Sequence, residues 1–266
     1  MSYRTALSEA LAGVVGPAAE ATRVQGRFPR GAVTALGHAG LLGLTVSAEF
    51  GGGGLGLSEA ADVVTRTARV CPATAAVLQS HYTAVAVIET YGGPWVRREI
   101  AAGRHLASLA LAESEAGSGD AGSGAEAQLL SPRSVATHSG GVVALRGRKH
   151  GVLAAGEADT YVWSSRPLAA PDGLTLWAVP AHAPDLFVPA RPGATGPRGS
   201  ATSTVLADPV LLPAEAMLGT DGAGLDPVLR TVLPWLLELR AAAQTFPPPT
   251  LAPGSPRHRA DSLAAS

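Results

Sequence analysis

A single cysteine, Cys71, is all the thiol chemistry this chain offers, which excludes an internal disulfide and any zinc site built on paired thiolates. Its 7 histidines are scattered without HExxH or comparable spacing, so no metal site is expected. There is no G-x-S-x-G elbow to suggest a hydrolase. No apolar run approaches the roughly 18 residues that a membrane span needs. Neither sign of charge dominates, with 20 Lys+Arg against 21 Asp+Glu, so neither a nucleic-acid track nor an acidic lipid surface is favoured. The N-terminal stretch carries Glu9 and Glu20 and lacks an apolar core with a small-residue cleavage pattern, so it does not read as a signal peptide. Together these absences point to a cytoplasmic protein with no nucleic-acid or membrane partner.

What is present is a globular composition. With 46% hydrophobic residues in 266, the chain can bury a core and divide into two domains. The first part reads as helices. Leu7, Leu11, Val14 and Val15 share a helical face, and Ala60, Val63, Val64, Thr67 and Ala68 repeat the pattern behind Ser58, an expected N-cap. Between them SAEFGGGGLG, Ser47 to Gly56, must form a turn-rich loop, and without a following GK[ST] it is no phosphate cradle. Pro72 opens a helix that Gly92-Gly93 stops, and Pro94 opens a shorter one. Cys71, beside Pro72, reads better as a small packing residue than as an activated thiol.

From Leu106 the pattern changes to short strands. Val135 to Thr137, Ser139-Gly140-Gly141 and Val142 to Leu145 read as a hairpin. Tyr161 to Ser164, Leu174 to Val179 and Val205 to Leu212 read as further strands, the last broken by Pro209 at an edge or bulge. Helical periodicity returns from Leu225 to Leu239, with a kink expected at Pro234. The expected fold class is α+β, in four segments: an N-terminal helical domain (1–105), a small β-barrel or β-sandwich middle domain (106–213), one helix of a further bundle (214–246) and a disordered proline-rich tail (247–266).

Three ordered blocks carry a resemblance. The stretch RFPRGAVTALGHAGLLGLTVSAEFGGGGLGLSEA, followed by the His81-Tyr82 pair, precedes LALAESEAGSGDAG from Leu109, GRKHGVLAAGEADTYVW from Gly147, and GPRGSATSTVLADPVLLPAE from Gly196. These blocks, in this order, resemble the acyl-CoA dehydrogenase family over about residues 4 to 245. Ser47 stands where the family usually has proline. Ala112-Glu113-Ser114 replaces its T-E-P, and Gly117-Ser118 matches its G-S, with Gly119 inserted before Asp120.

The resemblance implies an FAD flavoprotein that dehydrogenates an acyl-CoA or acyl-carrier-protein thioester, by α-proton abstraction and β-hydride transfer to the flavin. It implies cofactor contacts at Leu111, Ala112, Gly117, Ser118, Gly151, Val152 and Leu153, and substrate contacts at Ser118, His81 and Tyr82. The family's hydroxyl in the first block falls on Ala112. The aromatic that packs on the flavin falls on Gly151, and a second hydroxyl position falls on Leu153, so the implied FAD site is weakened. No catalytic residue is assigned, because the family's base belongs to a C-terminal helical bundle that the resemblance does not reach; Glu238 reads as a solvated helix-face residue. Completion by a C-terminal domain or partner subunit is therefore implied, in a homo-oligomer or a hetero-oligomer with a family paralogue. The alternatives are an inactive subunit or scaffold, a frameshift-truncated product, or a flavin monooxygenase of the same fold. Glu113, Glu115 and Asp120 read as loop carboxylates facing solvent or capping nearby N–H groups.

Overall fold

The computed structural model describes residues 2–113, 132–189 and 196–244. Gly117, Ser118, Glu115, Asp120 and the proline-rich stretch 247–266 lie outside the described residues. The chain opens with helices α1 (Tyr3–Ala10), α2 (Gly16–Gln25), α3 (Arg30–His38), α4 (Leu57–Ala68), α5 (Pro72–Tyr91) and α6 (Pro94–Ala101). A π turn, Leu11–Val15, joins α1 to α2 just ahead of Pro17. Proline has no N–H for the carbonyl one turn back and its ring crowds that carbonyl, and a widened turn relieves both. The extra residue shifts the phase, so Leu7, Leu11 and Val15 are buried while Val14, expected on the same face, is 37% exposed.

Helix α4 begins two residues earlier than its sequence suggested. Gly56 is the N-cap, and the Glu59 carboxylate accepts its N–H at 3.1 Å, which leaves Ser58 inside the first turn. The glycine run before it folds back on its own lead-in. Gly53 N–H donates to Gly43 O, Gly54 N–H to Val46 O and Leu55 N–H to Leu44 O, so the loop's polar groups are spent internally. Helix α5 is apolar on nearly every side and is buried over most of its length, as expected of a helix enclosed by neighbours. Cys71 at its start is buried, its sulfur accepting from Thr74 Oγ1 at 3.2 Å.

The middle region holds two four-stranded sheets. The strands are β1 (Ala107–Ala110), β2 (Val135–Ser139), β3 (Val142–Val152), β4 (Thr160–Ser165), β5 (Thr175–Pro180), β6 (Leu186–Phe187), β7 (Ser203–Leu212) and β8 (Met217–Leu218). One sheet runs β1-β4-β5-β8 and the other β2-β3-β7-β6, and they are not closed into a barrel. β1 and β4 are parallel; the remaining pairs are antiparallel. The expected hairpin is β2–β3, closed by Gly140-Gly141 with both φ values positive, as a two-residue turn matched to strand twist requires. Pro209 sits in a register irregularity between β3 and β7. It is therefore at a bulge; β7 itself lies inside its sheet.

β4 is buried at every position, because the first sheet is covered on both faces. Val162, Leu174 and Leu176 share a core with Val85 and Ile88 of α5. Tyr161, Trp163 and Trp177 share another with Val143, Leu145 and Val210 of the second sheet. After β8 a single turn, Leu225–Pro227, and a π turn, Val228–Val232, lead into α7 (Leu233–Gln244), which packs on α4 and α5. Pro234 follows its π turn at the same spacing as Pro17 follows the first, which is where a kink was expected. Among the described residues, no helix is long and apolar enough to cross a membrane.

The connection before β5 is held by one carboxylate. Asp221 accepts the N–H groups of Leu168, Ala169 and Ala170 and the Thr175 hydroxyl at 2.6–2.8 Å. Burial pushes its pKa up, but these donors outweigh it and hold the acid down to about 2. A depressed carboxyl stabilises the fold above its unfolded value, and that contribution is lost as pH falls towards the folded one. Asp221→Asn should therefore melt below the parent at neutral pH, with the gap closing as pH falls towards about 2; melting curves across the acid range check this.

Candidate functional site

The residues implied as a cofactor ledge meet where β1 ends beside the end of β3. Leu111 is 6% exposed and Ala112 lies at the surface. Ala112 O accepts the His150 N–H at 2.8 Å, which fixes the two segments side by side. Beneath them is a buried ion pair. Lys149 Nζ lies 2.6 Å from Glu113 Oε1, with side-chain exposures of 0% and 5%. The ammonium also donates to Ser164 Oγ at 2.9 Å and Leu111 O at 3.3 Å, and stands over the Trp163 ring.

Glu113 therefore does not face solvent; it takes the other expected role, accepting main-chain N–H groups. Besides Lys149 it accepts from Arg133 N–H, and from Ser134 through both N–H and hydroxyl. Burial alone would raise its pKa, but Lys149 and the Ser134 and Arg133 donors bring it below the usual value. Burial lowers Lys149 to about 8 against the pull of Glu113, so the pair is ionised at neutral pH. A glycine makes room for it: a Cβ on Gly147 would stand 2.1 Å from Ser134 Oγ. The strand pattern holds a clue to Lys149, which continues the inward alternation Val143, Leu145, Gly147 of β3. A lysine at an inward strand position needs a buried partner.

Gly151, Val152 and Leu153 close the ledge. The register of β3 against β7 slips between Lys149 and Val152, a bulge with Gly151 in the left-handed region at φ +62°. Such bulges call for glycine. Among the described residues no heavy atom lies within 4 Å of where its Cβ would be, so the space beside it is open. Val152 is buried at 1% exposure. Leu153 uses its carbonyl to accept the Ser108 hydroxyl at 2.6 Å and offers no hydroxyl of its own.

His81 and Tyr82 do not join this ledge. Both are fully buried, and their polar atoms are taken by main chain. His81 Nε2 donates to Leu42 O at 2.9 Å while Nδ1 accepts the Ala107 N–H at 3.1 Å. Burial drives the imidazole down to about 4, so the ring is neutral. Tyr82 donates to Leu41 O at 2.7 Å, and burial raises its phenol. The expected substrate contacts are corrected to ties between α5, β1 and the segment after α3, because neither side chain has a polar atom free to meet a ligand. Glu238 is exposed on α7, as its helical position suggested.

Two cavities lie elsewhere. One of about 690 Å³ opens between α1, α3 and the glycine loop near Tyr3, Glu9, His38 and Leu55. Another of about 320 Å³ lies between α3 and the chain at Glu157–Asp159, near Arg30 and His105. Neither is lined by the ledge residues. Among the described residues no cluster of His, Cys, Asp or Glu could hold a metal ion.

Comparison with known proteins gives this arrangement a lineage. The sequence profile described as "Acyl-CoA dehydrogenase, N-terminal domain" matches residues 2–125. Over these residues and beyond, the chain is similar to members of the acyl-CoA dehydrogenase family. An acyl-CoA dehydrogenase of Bacillus subtilis (strain 168) is 28% identical over 219 residues, covering 79% of this chain and 55% of the relative. Butyryl-CoA dehydrogenase from Megasphaera elsdenii superimposes with a TM-score of 0.78 at 20% identity, covering 91% of this chain and 63% of that one. FkbI, described as serving biosynthesis of a methoxymalonyl extender unit, superimposes at 0.73 with 26% identity over 88% of this chain and 64% of that one. The chain spans about half the length of the curated relatives it matches.

The ion pair yields a test. Removing one partner of a buried pair strands the other charge, at a cost of about 3–5 kcal/mol. Glu113→Gln should lose about that much at neutral pH in urea unfolding. The deficit should shrink as pH rises towards about 8, because without Glu113 the buried Lys149 sheds its proton at a lower pH than in the parent and then no longer needs a counter-charge. A deficit that ignores pH would mean the pair acts only through packing.

Proposed function

We propose that this chain is an acyl-CoA dehydrogenase-like protein acting on an acyl thioester of CoA or an acyl carrier protein, within an assembly that supplies the remaining catalytic parts. The observation that supports this reading is the ledge. Glu113 and Lys149, at matching positions of two family blocks, hold Leu111–Glu113 against Lys149–Leu153 in a fixed main-chain arrangement, and main-chain donors survive side-chain change. Members of this family use FAD. The residues present fit that cofactor in their main chain but not in their side chains: Ala112 and Leu153 lack hydroxyls, and Gly151 sits in a bulge where an aromatic would be strained. The ledge by itself therefore holds FAD weakly. Dehydrogenation needs a base and further cofactor contacts from another segment or a paralogous subunit.

A second reading, an inactive subunit or scaffold, is favoured by the Gly151 bulge. There the backbone bulges and takes a left-handed conformation that suits glycine and not an aromatic side chain. The two readings separate on one preparation. Co-purified with a full-length paralogue, the chain should form a stable complex whose flavin content exceeds one FAD per paralogue subunit and is bleached by acyl-CoA. Flavin equal to the paralogue's own complement, unchanged by Glu113→Gln in this chain, would favour the scaffold. A chain that neither binds a paralogue nor takes up FAD would sink the dehydrogenase proposal.

A further inference from the structure

Strand β1 is held by β4 on one edge and by side chains of α5 on the other. The Ala107 N–H donates to His81 Nδ1 at 3.1 Å and the Leu109 N–H to Ser80 Oγ at 2.9 Å, so two side chains stand where a further strand would. The Ser80 hydroxyl pairs with Ser108 at 2.8 Å, and Ser108 donates to Leu153 O at 2.6 Å. β1 then runs directly into Leu111 of the ledge. Among these ties only the imidazole can take up a proton. It is fully buried, and its second nitrogen, Nε2, is spent on Leu42 O at 2.9 Å. Three titratable groups surround it: His105 on the link from α6 to β1, Asp159 just before β4, and Tyr82 beside it on α5, with ring centroids 5.6 Å apart. Burial opposes the charged ring most strongly and His105 adds to this, while Leu42 O and Asp159 favour the charge without prevailing.

A neutral imidazole accepts at one nitrogen and donates at the other; a charged one donates at both. A proton on Nδ1 would therefore face the Ala107 N–H, donor against donor, in a place sealed from solvent. We propose that His81 is an acid-sensitive latch, whose protonation at Nδ1 releases the outer edge of β1 from α5 and with it the ledge. Opening lets the ring reach water, where its charge is solvated. The latch belongs to the chain itself and does not depend on bound flavin. Closed, the ring gains its proton only near pH 4; open, it returns to its ordinary value near 6.5. The open state thus binds more protons between these values, so the latch is at full strength above about 6.5 and weakens as pH falls towards about 4. One proton taken up on opening raises the opening equilibrium about tenfold for each pH unit in that window.

The test is hydrogen exchange of the Ala107 and Leu109 amides in the full chain, read as protection factors so that the intrinsic pH dependence of exchange is removed. Protection of both should fall about tenfold per pH unit between about 6.5 and 4, while the amides of α4 keep theirs. His81→Gln offers an amide N–H to Leu42 O and a carbonyl oxygen to the Ala107 N–H, with no proton to gain, and should hold protection level over the same range. A variant that loses protection with pH as the parent does, or a parent in which α4 loses it equally, overturns the proposal. If His81→Gln fails to fold, NMR of the parent with labelled histidine decides the matter. The His81 ring should stay neutral for as long as the Ala107 amide is protected, and a charged ring beside a protected amide overturns the latch.

Discussion

Everything in this fold hangs on how α5 settles the polar groups it carries through the core. The helix is too enclosed to turn Gln79, Ser80, His81 and Tyr82 towards water, so each must find a partner in a neighbouring element. Gln79 Nε2 reaches Leu239 O of α7 at 3.1 Å. The Ser80 hydroxyl accepts the Leu109 N–H of β1 at 2.9 Å and pairs with Ser108 at 2.8 Å. His81 spans Leu42 and Ala107, and Tyr82 takes Leu41. Four consecutive side chains thus bind the last helix, the first sheet and the segment after α3. Apolar packing supplies most of the stabilisation, but it is indifferent to register; these directional bonds fix how the layers sit.

That fixing extends to the ledge. Ser108, held by Ser80, donates to Leu153 O, so a line of hydroxyls runs from the centre of α5 to the end of β3. From the other side the Glu113–Lys149 pair anchors the same ledge beneath β1 and β4. The ledge is thereby held from both of its strands by groups that make no use of a cofactor. Its main-chain arrangement is held by the scaffold independently of the side chains at Ala112, Gly151 and Leu153.

Much of the fold was legible because its signals are local. Alternation in β3 and β7, Gly140-Gly141 between β2 and β3, and proline at the starts of α5 and α6 each speak through nearest neighbours. Phase was harder: Val14 was misplaced because a π turn inserts a residue that no composition announces. That the two segments lie side by side was legible; the local backbone was not. Family-like blocks located Leu111–Ala112 and Gly151–Leu153, yet the bulge at Gly151 depends on pairing with β7, some fifty positions away in sequence. Glu113 looked like a loop carboxylate since its partners, Arg133, Ser134 and Lys149, are distant along the chain. His81 and Tyr82 looked like ligand contacts, and only the fold reveals that main-chain groups already claim them.

The π turn ahead of Pro234 has a directional outcome. One extra residue turns everything after it by about 100° relative to an unbroken helix. Val228 and Val232 at its two ends, and Leu239 beyond it, face the core, while Leu225, Leu229 and Leu237 stay 38%, 47% and 64% exposed. The helix is in effect greasy along two separate azimuths, one spent on α4 and α5 and the other turned outward. One rod thus carries two apolar sides, and only one of them is covered among the described residues.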